Sequence, residues 1–166
     1  MKRLLFLIAL GVGGAYLIRT YLGVPVRVAT GSMEPTLEVN EIYWASNWHY
    51  VNNPVKRGDI ITFRSPVDDK DLIKRVIAVA GDSIEIRNKK VFINWKEIEE
   101  PYVQHTRKNE ILVGDNISEM TVPDGCVFVM GDNRDGSEDS RDWKDSNGKH
   151  IYFINVDLIK GWINAD

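Results

Sequence analysis

Hydrophobic and polar positions divide the chain into one long apolar stretch followed by many short ones. Lys2-Arg3 precede an apolar run from Leu4 to Ile18, which Arg19 breaks and Tyr21-Leu22 continue. Beyond it the apolar residues come in short pieces, the length of strands rather than helices. Val26-Arg27-Val28-Ala29-Thr30 alternates, and Asp59-Ile60-Ile61-Thr62-Phe63 follows a Lys-Arg-Gly turn signal. Leu72 to Ala80 predicts a long strand closed by Gly81-Asp82. Ile84-Glu85-Ile86 and Val91-Phe92-Ile93 flank Arg87-Asn88-Lys89-Lys90, the pattern of a hairpin with a polar tip. Cys126 to Met130 and Leu158 to Ile163 complete the set. Short strands between Gly, Pro, Asn and Asp clusters predict a mainly β fold, an antiparallel sheet of sandwich or barrel-like type. The expected organisation is an N-terminal transmembrane helix over 1–22, a β core from 23–82 and 123–166, and a small inserted β subdomain over 83–122.

The first segment is short for a spanning helix, which needs roughly 17–25 residues, but Arg19 can snorkel and the flank to Leu22 adds length. Positive charge ahead of the run places the N-terminus in the cytoplasm and the rest outside. The alternative is a cleavable leader, with Gly13-Gly14-Ala15 as its small-x-small site. Apolar character continuing past Ala15 favours the uncleaved anchor. Ser32 lies ten residues beyond Leu22, at most roughly 33 Å of extended chain, so chemistry there would take place near the membrane surface.

Composition narrows the function. With 166 residues, 43% hydrophobic and 27% charged, the chain has the balance of a folded domain. Formal net charge is -3; setting aside Lys2, Arg3 and Arg19 from the 21 basic residues leaves 18 against 24 acidic. No dense Lys/Arg run offers a nucleic-acid face. The single cysteine, Cys126, permits no internal disulfide and reads as a small core residue.

Candidate chemistry gathers in Met130-Gly131-Asp132-Asn133-Arg134-Asp135-Gly136-Ser137-Glu138-Asp139-Ser140-Arg141, where a strand leaves the core and delivers polar groups. Two earlier segments supply possible partners, Gly31-Ser32-Met33-Glu34-Pro35-Thr36-Leu37 and Leu72-Ile73-Lys74-Arg75-Val76. Serine needs a base to become a nucleophile. His49, His105 and His150 sit in polar, loop-like surroundings without a supporting motif. Lys74 differs: strand alternation groups it with Leu72, Val76, Ala78 and Ala80, and Arg75 with Ile73, Ile77 and Val79. Both faces are apolar, so at least one charge approaches a partly buried surface. Burial lowers a lysine pKa; moving it from about 10.4 to about 7–8 costs roughly 3–5 kcal/mol. Periodicity alone leaves open whether Lys74 is such a base or an edge-strand lysine reaching for water. Gly31 and Pro35 predict a turn that holds the Ser32 hydroxyl clear of the sheet.

Thr30-Gly31-Ser32-Met33-Glu34-Pro35-Thr36-Leu37, Gly58-Asp59-Ile60-Ile61-Thr62-Phe63, Ile73-Lys74-Arg75-Val76-Ile77 with Gly81-Asp82, and Gly131 to Ser137 through Asp139-Ser140-Arg141 together resemble the four boxes of bacterial type I signal peptidases, in the family's order and behind a similar anchor. Glu100-Pro101-Tyr102 and Val122-Pro123-Asp124-Gly125 extend the likeness. The resemblance implies a Ser/Lys endopeptidase on the outer face of the cytoplasmic membrane, using neither metal nor cofactor. Ser32 would be the acylated nucleophile, Lys74 its general base, and Ser137 the hydroxyl that orients the lysine amine. The Ser32 N–H and the Thr30 hydroxyl would form the oxyanion hole. Asp139 and Arg141 would pair and brace the lysine strand. Met33, Leu37 and Leu72 would line shallow pockets for small residues at positions −1 and −3 of a signal peptide. The partners implied are signal peptides and membrane lipid.

Departures qualify the resemblance. Thr30 stands where many members carry serine, and Asn40-Glu41 where a Gly-Asp pair is common. The stretch Asp142 to His150 replaces a short glycine-containing finish and raises a specialised substrate, such as pilin or conjugation proteins. Its acidic residues do not match an EF-hand, because the first loop position would be Gly131 or Trp143; a looser set is Asp142, Asp145 and Asn147. Tyr43, Trp44, Trp48 and Tyr50 form an aromatic cluster suited to the lipid headgroup region or to a β core. Two rival functions remain: a self-cleaving regulator of repressor type, disfavoured by the anchor, and an inactive anchored β domain that binds envelope partners.

Overall fold

The computed structural model describes residues 2–165, with the backbone alone at 16–22 and 51–52. Helix α1 (Lys2–Leu22) forms where the long apolar run lies. Leu4, Leu5, Phe6, Leu7, Ile8, Leu10 and Val12 are all exposed on it. The expected membrane crossing is not supported here: no helix among the described residues is long and apolar enough to cross a membrane. Gly11, Gly13 and Gly14 dilute an apolar run that was already short of a bilayer's thickness. The snorkelling ascribed to Arg19 falls on a side chain outside the described residues.

Among the described residues eleven strands follow: β1 (Val24–Arg27), β2 (Ile42–Ser46), β3 (Ile60–Arg64), β4 (Asp71–Val79), β5 (Ser83–Arg87), β6 (Lys90–Ile93), β7 (Lys96–Glu97), β8 (Ile117–Thr121), β9 (Cys126–Met130), β10 (Ile154–Asn155) and β11 (Ile159–Ile163). A second helix, α2 (His49–Asn52), is a single turn. Seven strands make one antiparallel sheet in the order β1-β2-β11-β3-β4-β9-β10, and four make another in the order β7-β6-β5-β8. The larger sheet ends at β1 on one side and β10 on the other, so it is open. The barrel-like alternative is thereby corrected: the two edge strands do not pair with each other, and the sheet never closes.

Hydrophobic burial explains the layering. Ile84, Ile86, Val91, Ile93 and Ile117 of the small sheet pack on Ile77, Ala78, Phe128 and Met130 of the large one. Ile61, Phe63, Val76, Val127, Val129 and Ile154 form a second cluster with Trp143. Trp143 belongs to the polar stretch 142–150, yet it is fully buried with its ring 6.0 Å from Phe63 in an edge contact. That stretch is therefore pinned to the core by one aromatic side chain. Strand β4 alternates as expected up to Val76, where a register shift against β9 sends Ala78 into the cluster with Ile77. The face assigned to Ala78 from strict alternation is thus wrong, because a bulge advances the period by one residue. The tip between β5 and β6 is a two-residue turn with Asn88 and Lys89 both at positive φ, 48° and 70°. Cys126 is only half-buried, at the end of β9 beside β10.

Candidate active site

Three segments meet at Ser32. The first is the single 3-10 turn Gly31–Met33, which follows extended Thr30 and buries Ser32 and Met33. The second is β4, whose pairing with β3 sets Lys74 opposite Ile61. The third is the loop after β9, running from Gly131 to Arg141. Lys74 Nζ lies 2.8 Å from Ser32 Oγ, across 42 residues of sequence. Lys74 is only 3% exposed and Ser32 9%. Burial pushes the Lys74 amine below the ordinary lysine range, and the nearby Arg141 guanidinium adds to the effect; Asp139, Glu138 and Asp132 pull the other way. Desolvation prevails because an ammonium has little water here to solvate it. Thr30 Oγ1 donates to Ser32 Oγ at 3.3 Å, on the exposed side of the turn.

The loop grips the serine turn through its backbone. Asn133 N–H donates to the Ser32 carbonyl at 3.1 Å, and Asn133 Nδ2 donates to the Gly31 carbonyl at 3.0 Å. Gly131 sits against both: a Cβ there would stand 2.5 Å from Ser137 Cβ and collide with the Ser32 carbonyl oxygen. Asp132 is fully buried and holds the Arg75 guanidinium by two hydrogen bonds, 2.9 and 2.6 Å. It also accepts from the Thr36 hydroxyl. Arg75 in turn donates to the Gly58 carbonyl and stacks over Tyr102, 3.9 Å from the ring centre. Of the two adjacent charges on β4, one is thus buried beside a serine, and the other is neutralised by a dedicated carboxylate.

Three site expectations need revision. The Ser137 hydroxyl donates to Asp139 Oδ2 at 2.8 Å rather than bonding the Lys74 amine. Fully buried Asp139 is the better acceptor, and it also takes the Gly131 N–H and the Arg141 guanidinium at 2.8 and 2.9 Å. The Asp139–Arg141 pair therefore braces the loop's own turn; Arg141 also donates to the Arg134 carbonyl at 2.7 Å. Arg141 keeps the Asp139 carboxyl below the usual range despite burial. Leu37 is fully buried with Val28, Ala45, Ile60 and Ile163 and does not line the cleft beside Ser32. Met33 and Leu72 do line one, a cavity of about 590 Å³ that also takes in Val26, Thr30, Ser32 and Lys74. The three histidines lie elsewhere: His49 stacks on Trp162, His150 on Tyr152, and His105 approaches Asp135.

The cavity runs between residues 24–30 and 70–74. Strand β1 is an edge strand, and β9 pairs with β4 only from Arg75 onward. The outer backbone edge of Asp71 to Lys74 is thus unpaired. Such an edge can accept an extended peptide as an added strand. A buried lysine against a serine, beside a strand-shaped cleft, is suited to covalent cleavage of an extended chain.

Comparison with known proteins identifies the family. The family described as "Signal peptidase, peptidase S26" matches residues 1–163. The chain belongs to the S26 signal peptidases. It is 38% identical over 131 residues to signal peptidase I P of Bacillus subtilis subsp. natto, covering 76% of this chain and 70% of that protein. It is 36% identical over 141 residues to signal peptidase I of Bacillus caldolyticus, covering 80% and 72%. The crystal structure of a signal peptidase I from Enterococcus faecalis V583 superposes with a TM-score of 0.52 at 28% identity, covering 68% of this chain and 98% of that one.

For this S26 member, sequence reasoning passed over the residues that hold the site together. Thr36, Gly131, Asp132 and Asn133 lay within the motifs but carried no assigned part. One signal was available. Arg75 on an apolar strand required a buried carboxylate, and Asp132 lies two residues past the end of β9, the strand paired with β4.

Proposed function

We propose that this protein is a membrane-associated serine endopeptidase that removes signal peptides from exported preproteins. The observation that carries the proposal is the 2.8 Å contact between Ser32 Oγ and a buried Lys74. An extended peptide lies along the unpaired edge of β4 with its scissile carbonyl over Ser32. Neutral Lys74 accepts the Ser32 proton as Oγ attacks that carbonyl carbon. The oxyanion is met by the Ser32 N–H and the Thr30 hydroxyl, each donor contributing about 3–4 kcal/mol to the barrier reduction. Lys74 then passes the proton to the departing amine, and the acyl ester remains on Ser32. Water, deprotonated by Lys74, hydrolyses the ester. Asp139, held by Arg141 and Ser137, fixes the charge environment of the amine. Met33 and Leu72 favour small side chains at −1 and −3.

Helix α1 supports lodging of the chain in lipid, since Leu4, Leu5, Phe6, Leu7, Ile8, Leu10 and Val12 are exposed along its described side chains and Lys2-Arg3 favour a cytoplasmic N-terminus. Ile42, Trp44 and Trp48, each about half exposed on or just beyond β2, support contact of the catalytic domain with the outer lipid surface.

The test is cleavage of a preprotein bearing an Ala-x-Ala site, in detergent with lipid, by wild type, Ser32→Ala and Lys74→Ala. Cleavage by wild type alone is expected. Cleavage that survives Ser32→Ala would sink the assignment, and a well-folded wild type without activity would favour the specialised substrate.

A further inference from the structure

The Asn88-Lys89 tip of the small sheet breaks a local rule. Two-residue turns with both residues at positive φ favour glycine at the second position. Here that position holds a lysine, at φ 70°, and its side chain is only 10% exposed. Long charged side chains rarely fold inward from a turn tip without a partner. Lys89 Nζ donates to Asp135 Oδ1 at 2.9 Å and to the Arg107 carbonyl at 2.9 Å, and it lies 3.5 Å from Asp115 Oδ2.

Asp135 is the other half of the arrangement. Its side chain is completely buried. Oδ2 accepts the Arg107 N–H at 2.7 Å, His105 Nδ1 stands 3.4 Å from Oδ1, and the Asp135 carbonyl accepts from Arg107. Every one of these partners comes from residues 89–107. Asp135 itself sits two residues before Ser137 and four before Asp139, in the loop that carries the charge environment of Lys74. Gly114 adds a steric contact from the same side, since a Cβ there would press on the Arg141 side chain.

We infer that Lys89 is a positioning residue for catalysis, and that the small sheet acts as a clamp holding the 131–141 loop in register through Asp135. This inference rests on the Ser32–Lys74 reading above. Removing the Lys89 charge leaves a buried carboxylate short of a cation. Asp135 then relaxes toward water and takes Gly136-Ser137 with it. Asp139 and Arg141 follow, because Ser137 Oγ and the Arg134 carbonyl are bonded to them. The groups facing Lys74 are Ser32, Asp132, Glu138, Asp139 and Arg141; those facing the clamp are His105, Arg107 and Asp115. The substrate cleft is lined by neither Lys89 nor Asp135, so the effect falls on the chemical step.

The experiment compares wild type, Lys89→Met, Lys89→Arg and Ser32→Ala on the Ala-x-Ala preprotein, with kcat, KM, the pH midpoint of kcat and a thermal melt for each. Lys89→Met should lower kcat roughly ten- to a hundredfold, the cost of a misplacement on the order of 1 Å. KM should stay near wild type, the pH midpoint should move, and Lys89→Arg should recover most of kcat. A Lys89→Met enzyme with wild-type kcat, or with lowered kcat at an unmoved midpoint, overturns the clamp. Should that variant not fold, Lys89→Gln, which retains a donor toward Asp135, is read by the same criteria. Loss of the Ser32–Lys74 reading is distinguishable: it shows as an inactive wild type, or as activity retained by Ser32→Ala.

Discussion

Gly131→Ala is the sharpest probe of the site, because it adds one methyl group where there is no room. The new Cβ would stand 2.5 Å from Ser137 Cβ and closer still to Ser137 Oγ and the Ser32 carbonyl oxygen, whereas ordinary contact begins at 3.4 Å. Relief therefore requires a displacement of about 1 Å between the loop and the serine turn, a distance that can cost on the order of a hundredfold in rate. Neither neighbour is the free end of a flexible chain: the Ser32 carbonyl is held by Asn133 N–H, and Ser137 by Asp139. The strain should cost about 1–3 kcal/mol in stability, as overpacking does, so the fold survives. The assay is preprotein cleavage together with urea unfolding of the same variant. Expected are a roughly hundredfold lower kcat and an unfolding midpoint modestly below wild type, by the same estimate of displacement. A Gly131→Ala enzyme with wild-type kcat would refute the reasoning that Ser32 and Ser137 are held in contact across this glycine.

Four further outcomes follow from the structure. Burial lowers the Lys74 pKa, so kcat should rise with pH through a midpoint below the lysine reference of about 10.4. Between the folded and unfolded pKa values the unfolded chain binds the extra proton, so wild-type stability rises with pH there; Lys74→Met should be inactive yet more thermostable near neutrality, with the margin shrinking as pH approaches that reference. Thr30→Val should lower kcat about 10²–10³-fold with little change in KM, while Thr30→Ser stays near wild type; an equal loss in both would remove Thr30 from the oxyanion hole. Trp143→Ala should destabilise the protein by about 3–5 kcal/mol in chemical denaturation, although it lies in a stretch that reads as polar.

Much of this was legible before any coordinates. The main strands of the core follow from short apolar runs bounded by turn residues, and the hairpin follows from Arg87 to Lys90 between two alternating segments. Strands β2, β7, β8 and β10 went unread. Ile42-Tyr43-Trp44-Ala45 is an unbroken apolar run although its burial alternates, and Ile117 to Thr121 is mostly polar, so neither sequence displays the apolar–polar alternation of a half-buried strand. Trp143 was lost among charged neighbours, because a single buried side chain leaves no period to detect.

The sequence by itself determined the strand-rich class, the motif order, and the residue types needed for a serine activated by a base other than histidine. Those properties are local: turn chemistry, alternation and side-chain identity need no knowledge of what lies opposite. Tertiary structure alone decided that Ser32 meets Lys74 across 42 residues, that Asp132 neutralises Arg75, that Ser137 faces Asp139, and that Leu37 belongs to the core. The sheet order also left an open edge beside the nucleophile rather than a closed barrel. Contacts between distant segments are set by burial and charge pairing in three dimensions. A buried lysine's lowered pKa exists only once the fold has taken its water away.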